Sequence, residues 1–240
     1  MIISLESKKL KRTGFLPTFI VGGLLAALVP IVNMAVRSEI YIGLEQSSLR
    51  TLIDANWQMM AMLNILLIVS CACIMYHTEY ADNAIQRMKT LPLKESTMFL
   101  GKLTLLVIVC MFTLIIEAAA LAFCAFHWFP SYAELPMDLV KNIGYIMFLT
   151  LPTAVLMLSI SSACKNMWVS LGIGVICVFT ATMLPTTNFV LSLFPFSLPF
   201  QTLIGTESSK AIQYICAVAA ETVLLGIAEF VYLKVRRSFE

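Results

Sequence analysis

The residues of this chain that could do chemistry are few, and three of them are carboxylates inside long apolar runs. These are Glu117, Glu221 and Glu229. An ionisable group in lipid is expensive, which makes each of them a candidate functional residue. For the intramembrane pair Glu117 and Glu221, a hydrogen bond to another helix or subunit, a contact with a substrate and proton coupling are open readings. Glu229 is close to Lys234, and we expect it to reach the membrane surface as an interfacial charge.

The usual constellations of catalysis and cofactor binding do not occur in the sequence. The two histidines, His77 and His127, stand at opposite edges of apolar runs with no metal or acid–base partner nearby. The seven cysteines include no Cys-x-x-Cys pair, and most lie in apolar runs, as small hydrophobic side chains of a core do. Lys102 follows a glycine, but Ser96 occupies the position of the upstream glycine of a phosphate-binding loop. The sequence therefore predicts no enzyme, no metal and no cofactor.

One polar stretch, residues 77–101, interrupts the apolar runs and offers a surface for a soluble partner. Apolar residues follow each other there at the spacing of one helical stripe, and Pro92 ends that helix. The charges are mixed and the stretch is tethered at both ends, which favours docking. An interfacial helix lying on lipid headgroups is the alternative. The residues predicted to make the contact are Glu79, Asp82, Ile85, Arg87, Met88 and Lys89.

The elements that must position these residues are membrane helices. The chain has 240 residues, of which 60% are hydrophobic and 12% charged, against about 25% charged residues in a soluble domain. Runs of about 20 apolar residues without alternation indicate helices and exclude a barrel. We predict an all-α integral membrane protein with one domain, 1–240, and six spans. The spans are 14–36, 56–75, 102–123, 138–159, 167–184 and 211–233.

Lysine and arginine are distributed unequally between the two sides of these spans. With both termini inside, twelve of the sixteen fall on the cytoplasmic side, where the positive-inside rule places them. Residues 1–13 and 77–101 are then cytoplasmic. A net charge of +2 does not suggest a nucleic-acid partner. The protein is expected in the plasma membrane, in contact with lipid.

Residues 185–210, on the outer side, are too short and too interrupted to span. Pro185, Pro195 and Pro199 break an aromatic-rich apolar run. Non-helical backbone is tolerated at membrane depth only where protein or a water-filled cavity surrounds it. The pattern is typical of a re-entrant or interfacial hairpin, and the re-entrant form is the one we predict.

Together these features resemble a known family, the ABC-2 type permeases, and most closely the small permeases of lantibiotic-immunity transporters. The resemblance covers essentially the whole chain. Residues 6–13, Glu-Ser-Lys-Lys-Leu-Lys-Arg-Thr, are similar to the basic start that precedes the first helix of those permeases. Residues 79–102 are similar to their coupling segment, with Glu79, a Leu-Pro pair ending at Pro92 and the closing Lys102. The six spans and the outer hairpin match as well.

The resemblance implies a half-transporter that hydrolyses no ATP itself. Two permeases, this one paired with a different one or with itself, would receive two copies of a cytoplasmic ATP-binding subunit. The implied cargo is a cationic amphipathic peptide, expelled from the outer leaflet. Its entrance would need apolar side chains, for which the candidates are Phe189, Phe194, Phe196 and Phe200. It would also need negative charge, for which the candidates are Glu39, Glu45, Asp54 and Glu207.

Two further readings of the same features stay open. One is an ABC-2 permease for another hydrophobic cargo, such as a drug, a lipid or a glycolipid. The other is a membrane scaffold or sensor that transports nothing and uses the same cytoplasmic helix to hold a signalling protein.

Overall fold

A computed structural model describes residues 2–11, 13–43, 46–80, 95–130, 133–184 and 188–239. Its regular elements in these ranges are all helical, as the apolar runs predict. They include a short 3-10 turn, Leu198–Phe200. The α-helices are α1 Ile2–Leu10, α2 Phe15–Ile42, α3 Ser48–Tyr80, α4 Glu95–Trp128, α5 Leu135–Leu149, α6 Leu151–Ala163, α7 Met167–Met183, α8 Phe189–Ser192 and α9 Ser208–Phe239.

Five helical stretches of the described chain are long and apolar enough to cross a membrane. They are α2, α3, α4, the nearly continuous pair α5–α6, and α9. Helix α7 is apolar but has only 17 residues, about 25 Å at 1.5 Å per residue, against a hydrocarbon core of about 30 Å. The chain is thus a multi-pass membrane protein, and α7 as a sixth span stays a prediction.

The helices extend beyond the apolar runs that predict them. Helix α3 begins at Ser48 and α4 at Glu95, about two turns before the predicted starts of those spans. Only the apolar middle of a membrane helix has to match the thickness of the hydrocarbon, and its polar ends continue as helix in water or at the headgroups. The predicted amphipathic helix of the 77–101 stretch falls mainly on residues 81–94, which lie outside the described residues. Tyr80 still belongs to α3.

Helix α1 folds back onto the bundle because the chain reverses direction at Gly14. The φ of Gly14 is +80°, a left-handed conformation that glycine adopts without strain. Helix α1 then packs against α3 and α4. Leu10 and Phe15, on either side of the turn, are both buried in the main hydrophobic core.

Helix α3 forms the centre of the bundle, and its neighbours approach it at small residues. It packs against α2, α4, α6 and α7. A Cβ atom on Gly174 of α7 would lie 2.5 Å from Val69 Cγ1 of α3, and one on Gly22 of α2 would meet Leu67 of α3. These glycines allow close helix contact in lipid. In the apolar window of α3, 61% of residues are buried, against 17% in α9, which is therefore peripheral.

The segment 188–206 is inserted between the helices rather than lying on their surface. The indole Nε1 of Trp57 donates to the carbonyl of Pro199 at 3.1 Å, and the hydroxyl of Thr153 donates to the carbonyl of Pro195. Phe196 is fully buried in the main core. At the far end of the segment, Leu203 N donates to Asn142 Oδ1 of α5.

Candidate functional site

Four charged side chains meet where α1 contacts the ends of α3 and α4. Lys102 Nζ of α4 is 2.6 Å from both Glu6 Oε2 of α1 and Glu79 Oε1 of α3. Lys9 Nζ of α1 is 2.7 Å from Glu6 Oε1 and 3.2 Å from Glu79 Oε1. We call these four residues the basal ion network. It connects three helices through two cations and two anions.

Burial makes this network strongly dependent on all of its members. The side chain of Lys102 is only 2% exposed, and both carboxylates are buried, whereas Lys9 is 33% exposed. Each buried ion costs several kcal/mol of desolvation unless a partner of good geometry compensates it. The Lys102 ammonium also lies 5.3 Å from the ring centroid of Tyr76, within the range of a cation–π contact. The formal charges of the network sum to zero, which is what permits its burial.

These contacts shift the pKa values of the two charged residues that α1 contributes, Glu6 and Lys9. Burial alone would raise the pKa of Glu6, but the charge of Lys102 and hydrogen bonds from both lysines outweigh it, so the pKa of Glu6 is lowered. Burial alone would likewise lower the pKa of Lys9. Hydrogen bonds and charge from Glu6 and Glu79 outweigh it, so the pKa of Lys9 is raised. Both residues are therefore held in their charged forms when α1 is docked.

The position of the network gives it a mechanical meaning. Glu79 is the residue before the last of α3, and Lys102 lies two turns into α4. The chain between them contains residues 81–94, which lie outside the described residues and belong to the polar stretch 77–101 that the sequence predicts for docking. The network therefore closes the base of the α3–α4 pair where that segment leaves α3 and returns to α4.

A second polar cluster ties the same end of α3 to α6 and α9. The hydroxyl of Tyr80 donates to the carbonyl of Ser162, and Arg236 Nη1 donates to the same carbonyl at 3.0 Å. Ser162 Oγ donates to Glu229 Oε1 at 2.7 Å. Glu229 is only 3% exposed, so it lies between helices, and its prediction as an interfacial charge is wrong. Its serine partner is 67 residues away in the chain, a separation across which no local sequence pattern identifies a contact.

The other two intramembrane carboxylates lie on α4 and α9, each well away along its helix from the polar contacts at the base of the bundle. Glu117 of α4 is 1% exposed, and its Oε2 accepts a hydrogen bond of 2.9 Å from Asn64 Nδ2 of α3. Glu221 of α9 is half-buried, and its Oε2 is buried with no hydrogen-bond partner in the described part of the chain. Of the two readings that the sequence leaves open for Glu117, this geometry favours the hydrogen bond between helices.

On the opposite side of the bundle, an open cavity of about 400 Å³ lies between α3, the end of α7 and the segment 188–206. It brings together two of the residues predicted for a cargo entrance, Asp54 and Phe200. Asp54 is 3.7 Å from Arg50 in an exposed ion pair, which is a weak interaction. The cavity is lined by Ile53, Asp54, Trp57, Gln58, Ala181, Thr182, Leu184, Phe200 and Thr202.

The remaining predicted residues are placed as follows. Phe189 is partly exposed and its ring lies 5.2 Å from that of Tyr214, whereas Phe194 stacks on the buried Phe196 at 5.7 Å. Neither lines the cavity of Asp54. Glu79 is the one docking candidate inside the described residues, and it faces the basal ion network. Glu45 lies outside the described residues. So do the other docking candidates, which are Asp82, Ile85, Arg87, Met88 and Lys89.

The network itself was not predicted from the sequence. The sequence places Lys9 in a basic N-terminus, and Lys102 at the start of a span and the close of the coupling segment. A usable signal did exist, because Glu6 is the one acid in an otherwise basic stretch, and Glu79 and Lys102 are opposite charges at the two ends of one polar interval.

Comparison with known proteins places this architecture in a family. The family described as ABC-2 family transporter protein matches residues 2–181, which contain all of α1 to α6, most of α7 and the whole basal ion network. The chain belongs to this family. No curated protein and no solved structure matches it. Members of the family are the transmembrane component of ABC transporters, associate with an ATP-binding subunit and are not themselves the ATPase.

Proposed function

We propose that this chain is the permease subunit of a heteromeric ABC transporter in the plasma membrane, and that it expels an amphipathic, lantibiotic-type peptide. Two copies of an ATP-binding subunit would bind its cytoplasmic side. A second permease, a different chain or a second copy, would complete the pathway. The observation that carries the coupling part of this proposal is the basal ion network, because it joins α1 to both ends of the 81–94 segment.

The network supports coupling through stiffness. A segment that is pushed by an ATPase transmits the push only if the helix ends that hold it cannot yield separately. Glu79 and Lys102 are in direct contact at 2.6 Å, and Glu6 joins them from α1. In this proposal Glu79 anchors the segment, while Asp82, Ile85 and the Arg87–Lys89 stretch contact the ATPase.

The same arrangement supports the proposed orientation. The basal ion network and the Arg236 cluster both contact the same end of α3, at Glu79 and at Tyr80. With six spans, this would be the cytoplasmic side, and the cavity of Asp54 would open outside. The segment 188–206, inserted between α3, α5 and α6, would then be the re-entrant hairpin.

The outer cavity supports a cationic, partly apolar cargo. It offers the carboxylate of Asp54 beside the aromatic side chains of Trp57 and Phe200. A cationic amphipath presents a charge for the first and apolar surface for the others. Its volume, about 400 Å³, is in the range of small-ligand sites, so it would hold one side chain or ring of a peptide rather than the whole molecule.

Docking is tested by pull-down of the tagged chain from its native membrane in mild detergent. We expect an ATP-binding subunit to follow it, and expect its recovery to fall at least about tenfold when Asp82→Lys is combined with Arg87→Glu, since like charges would then face the partner. Glu207→Lys, an exposed acid on the other side of the bundle, is the matched control and should leave recovery unchanged. Undiminished binding by the double variant would place the docking surface elsewhere. Recovery with a kinase and no ATPase would favour the scaffold reading.

Cargo is tested in cells that depend on the complete transporter for survival in a cationic lantibiotic. Asp54→Asn removes the charge with little change of size, so we expect a several-fold loss of protection, and Asp54→Glu should retain it. ATPase recovery in the pull-down should be unaffected in both variants. Equal protection by Asp54→Asn and the unmodified chain would remove this cavity from the cargo pathway.

A further inference from the structure

The Asn64–Glu117 hydrogen bond lies in register with the basal ion network. Fifteen residues separate Asn64 from Glu79 on α3, and fifteen separate Lys102 from Glu117 on α4. The two helices are antiparallel, so equal spacing means that both contacts close between the helices without any shift of one along the other. At 1.5 Å per residue they lie about 22 Å apart.

The interface between the two contacts keeps this register. Cys71 of α3 is seven residues from Asn64 and eight from Glu79, spacings that stay on one face of a helix. Cys110 of α4 has the same spacings from Glu117 and Lys102. Both cysteines are buried in the main hydrophobic core. The two polar contacts therefore terminate one continuous apolar seam.

The amide orientation of Asn64 follows from its partner. An ionised carboxylate only accepts hydrogen bonds, which matches the geometry, in which Asn64 Nδ2 donates to Glu117 Oε2 at 2.9 Å. Within the described residues, Asn64 Oδ1 and Glu117 Oε1 are buried without a hydrogen-bond partner, and no ion pair reaches Glu117. Among these residues, the contact therefore joins α3 to α4.

We propose that Asn64 and Glu117 are positioning residues which, together with the Glu79–Lys102 pair, make α3 and α4 one rigid lever for the 81–94 segment. A single polar contact would leave the two helices free to separate on either side of it. Two contacts, 15 residues apart on each helix, oppose both the separation of the helices and the shift of one along the other. This proposal rests on the proposed function for the ATP-binding subunit that would push the segment. The rigidity of the α3–α4 pair is a property of this chain alone.

The assignment also defines what Glu117 does not do. A carboxylate that contacts a cationic cargo needs its charge. A polar contact between the helices needs only an acceptor for the Asn64 amide. Glu117→Gln keeps an acceptor oxygen and removes the charge, so we expect this variant to behave as the unmodified protein. A loss of peptide protection with Glu117→Gln would assign Glu117 to the cargo instead.

The lever is tested by the distance between spin labels on its outer ends. Met59 of α3 and Phe123 of α4 are both exposed and take the labels as cysteines, in a chain whose Cys164, Cys177 and Cys216 are alanine. In the complex with its ATPase, we expect this distance to be the same without nucleotide and with trapped ATP. In Asn64→Leu with Glu117→Met we expect nucleotide to change it by on the order of one helical turn, 5 Å.

The double variant is chosen because replacing both partners by apolar groups leaves no orphaned polar atom, so the fold should survive. Glu221→Met, a carboxylate of α9 outside the α3–α4 interface, is the matched control.

A nucleotide-dependent distance in the unmodified chain would overturn the lever, as would an unchanged distance in the double variant. If no ATPase binds, the proposed function fails in the pull-down. The lever is then judged on the isolated chain, where the double variant should broaden the distance distribution and a distribution as narrow as that of the unmodified chain would overturn it.

Discussion

At the scale of single residues, the protein is organised by a few charges that must find partners. Lys102 is the clearest case, because a lysine that is 2% exposed would be costly anywhere in a membrane protein without its two carboxylates. Glu6 and Glu79 come from positions 96 and 23 residues away in the chain. Their convergence joins the short N-terminal helix α1 to α3 and α4, which have 33 and 34 residues.

The docking of α1 should therefore depend on pH in a defined direction. The lowered pKa of Glu6 means that its contribution is present above the usual value of 4.5 and is lost as the pH falls through the lower value of the docked state. The raised pKa of Lys9 means that its contribution is complete below 10.5 and is lost as the pH rises through the higher docked value. We expect α1 to stay docked between pH 4.5 and pH 10.5. It should detach when the pH falls through the lowered pKa of Glu6.

The measurement is the mobility of a spin label at Lys11→Cys, an exposed position at the end of α1. The label should become mobile on the acid side of 4.5 and stay restrained at neutral pH. Glu6→Gln, which loses the titrating group, should show a smaller acid-side change. A label that is released near neutral pH in the unmodified chain would mean that α1 is held by something other than these charges.

At the scale of elements, apolar runs predict the middle of each helix but not its ends or its partners. Helices α3 and α4 begin earlier than predicted. Their first turns, residues 48–55 and 95–101, are helical but too polar to be included in a span predicted from hydrophobicity. The aromatic segment was foreseen as too broken to span. Its insertion through Trp57 and Thr153 could not be foreseen, because those bonds join residues 142 and 42 positions apart.

The candidate site shows the same division between local and long-range information. The sequence singles out Glu79 and Glu117, because an isolated charge beside apolar residues is visible locally. It could not choose between a cargo contact and a helix contact for Glu117, since Asn64 lies 53 residues away. Periodicity along one helix carries no record of which face meets which neighbour.

At the scale of the whole molecule, the number of spans decides the topology. Six spans place both termini on one side, whereas five place them on opposite sides. The difference rests on α7, so positions on either side of it are informative: Lys165 before it and Glu207 after it. We expect Glu207→Cys to react with a membrane-impermeant thiol reagent in intact cells, and Lys165→Cys to react only after permeabilisation. Labelling of both from the same side would contradict six spans.

The short α7 has a consequence for the lipid around it. Helix α7 has 17 residues, so as a span it is about 25 Å long and shorter than a hydrocarbon core of about 30 Å. A helix shorter than the hydrocarbon layer is accommodated by flanking side chains that reach the headgroups, by oligomerisation or by local thinning of the bilayer, and local thinning is the response that involves the surrounding lipid. The bilayer would be pinched beside α7, where the exposed indole of Trp168 lies near one end. Lipid chain length would then act on this protein from one side only, and a thinner membrane would relax that side without changing any contact within the bundle.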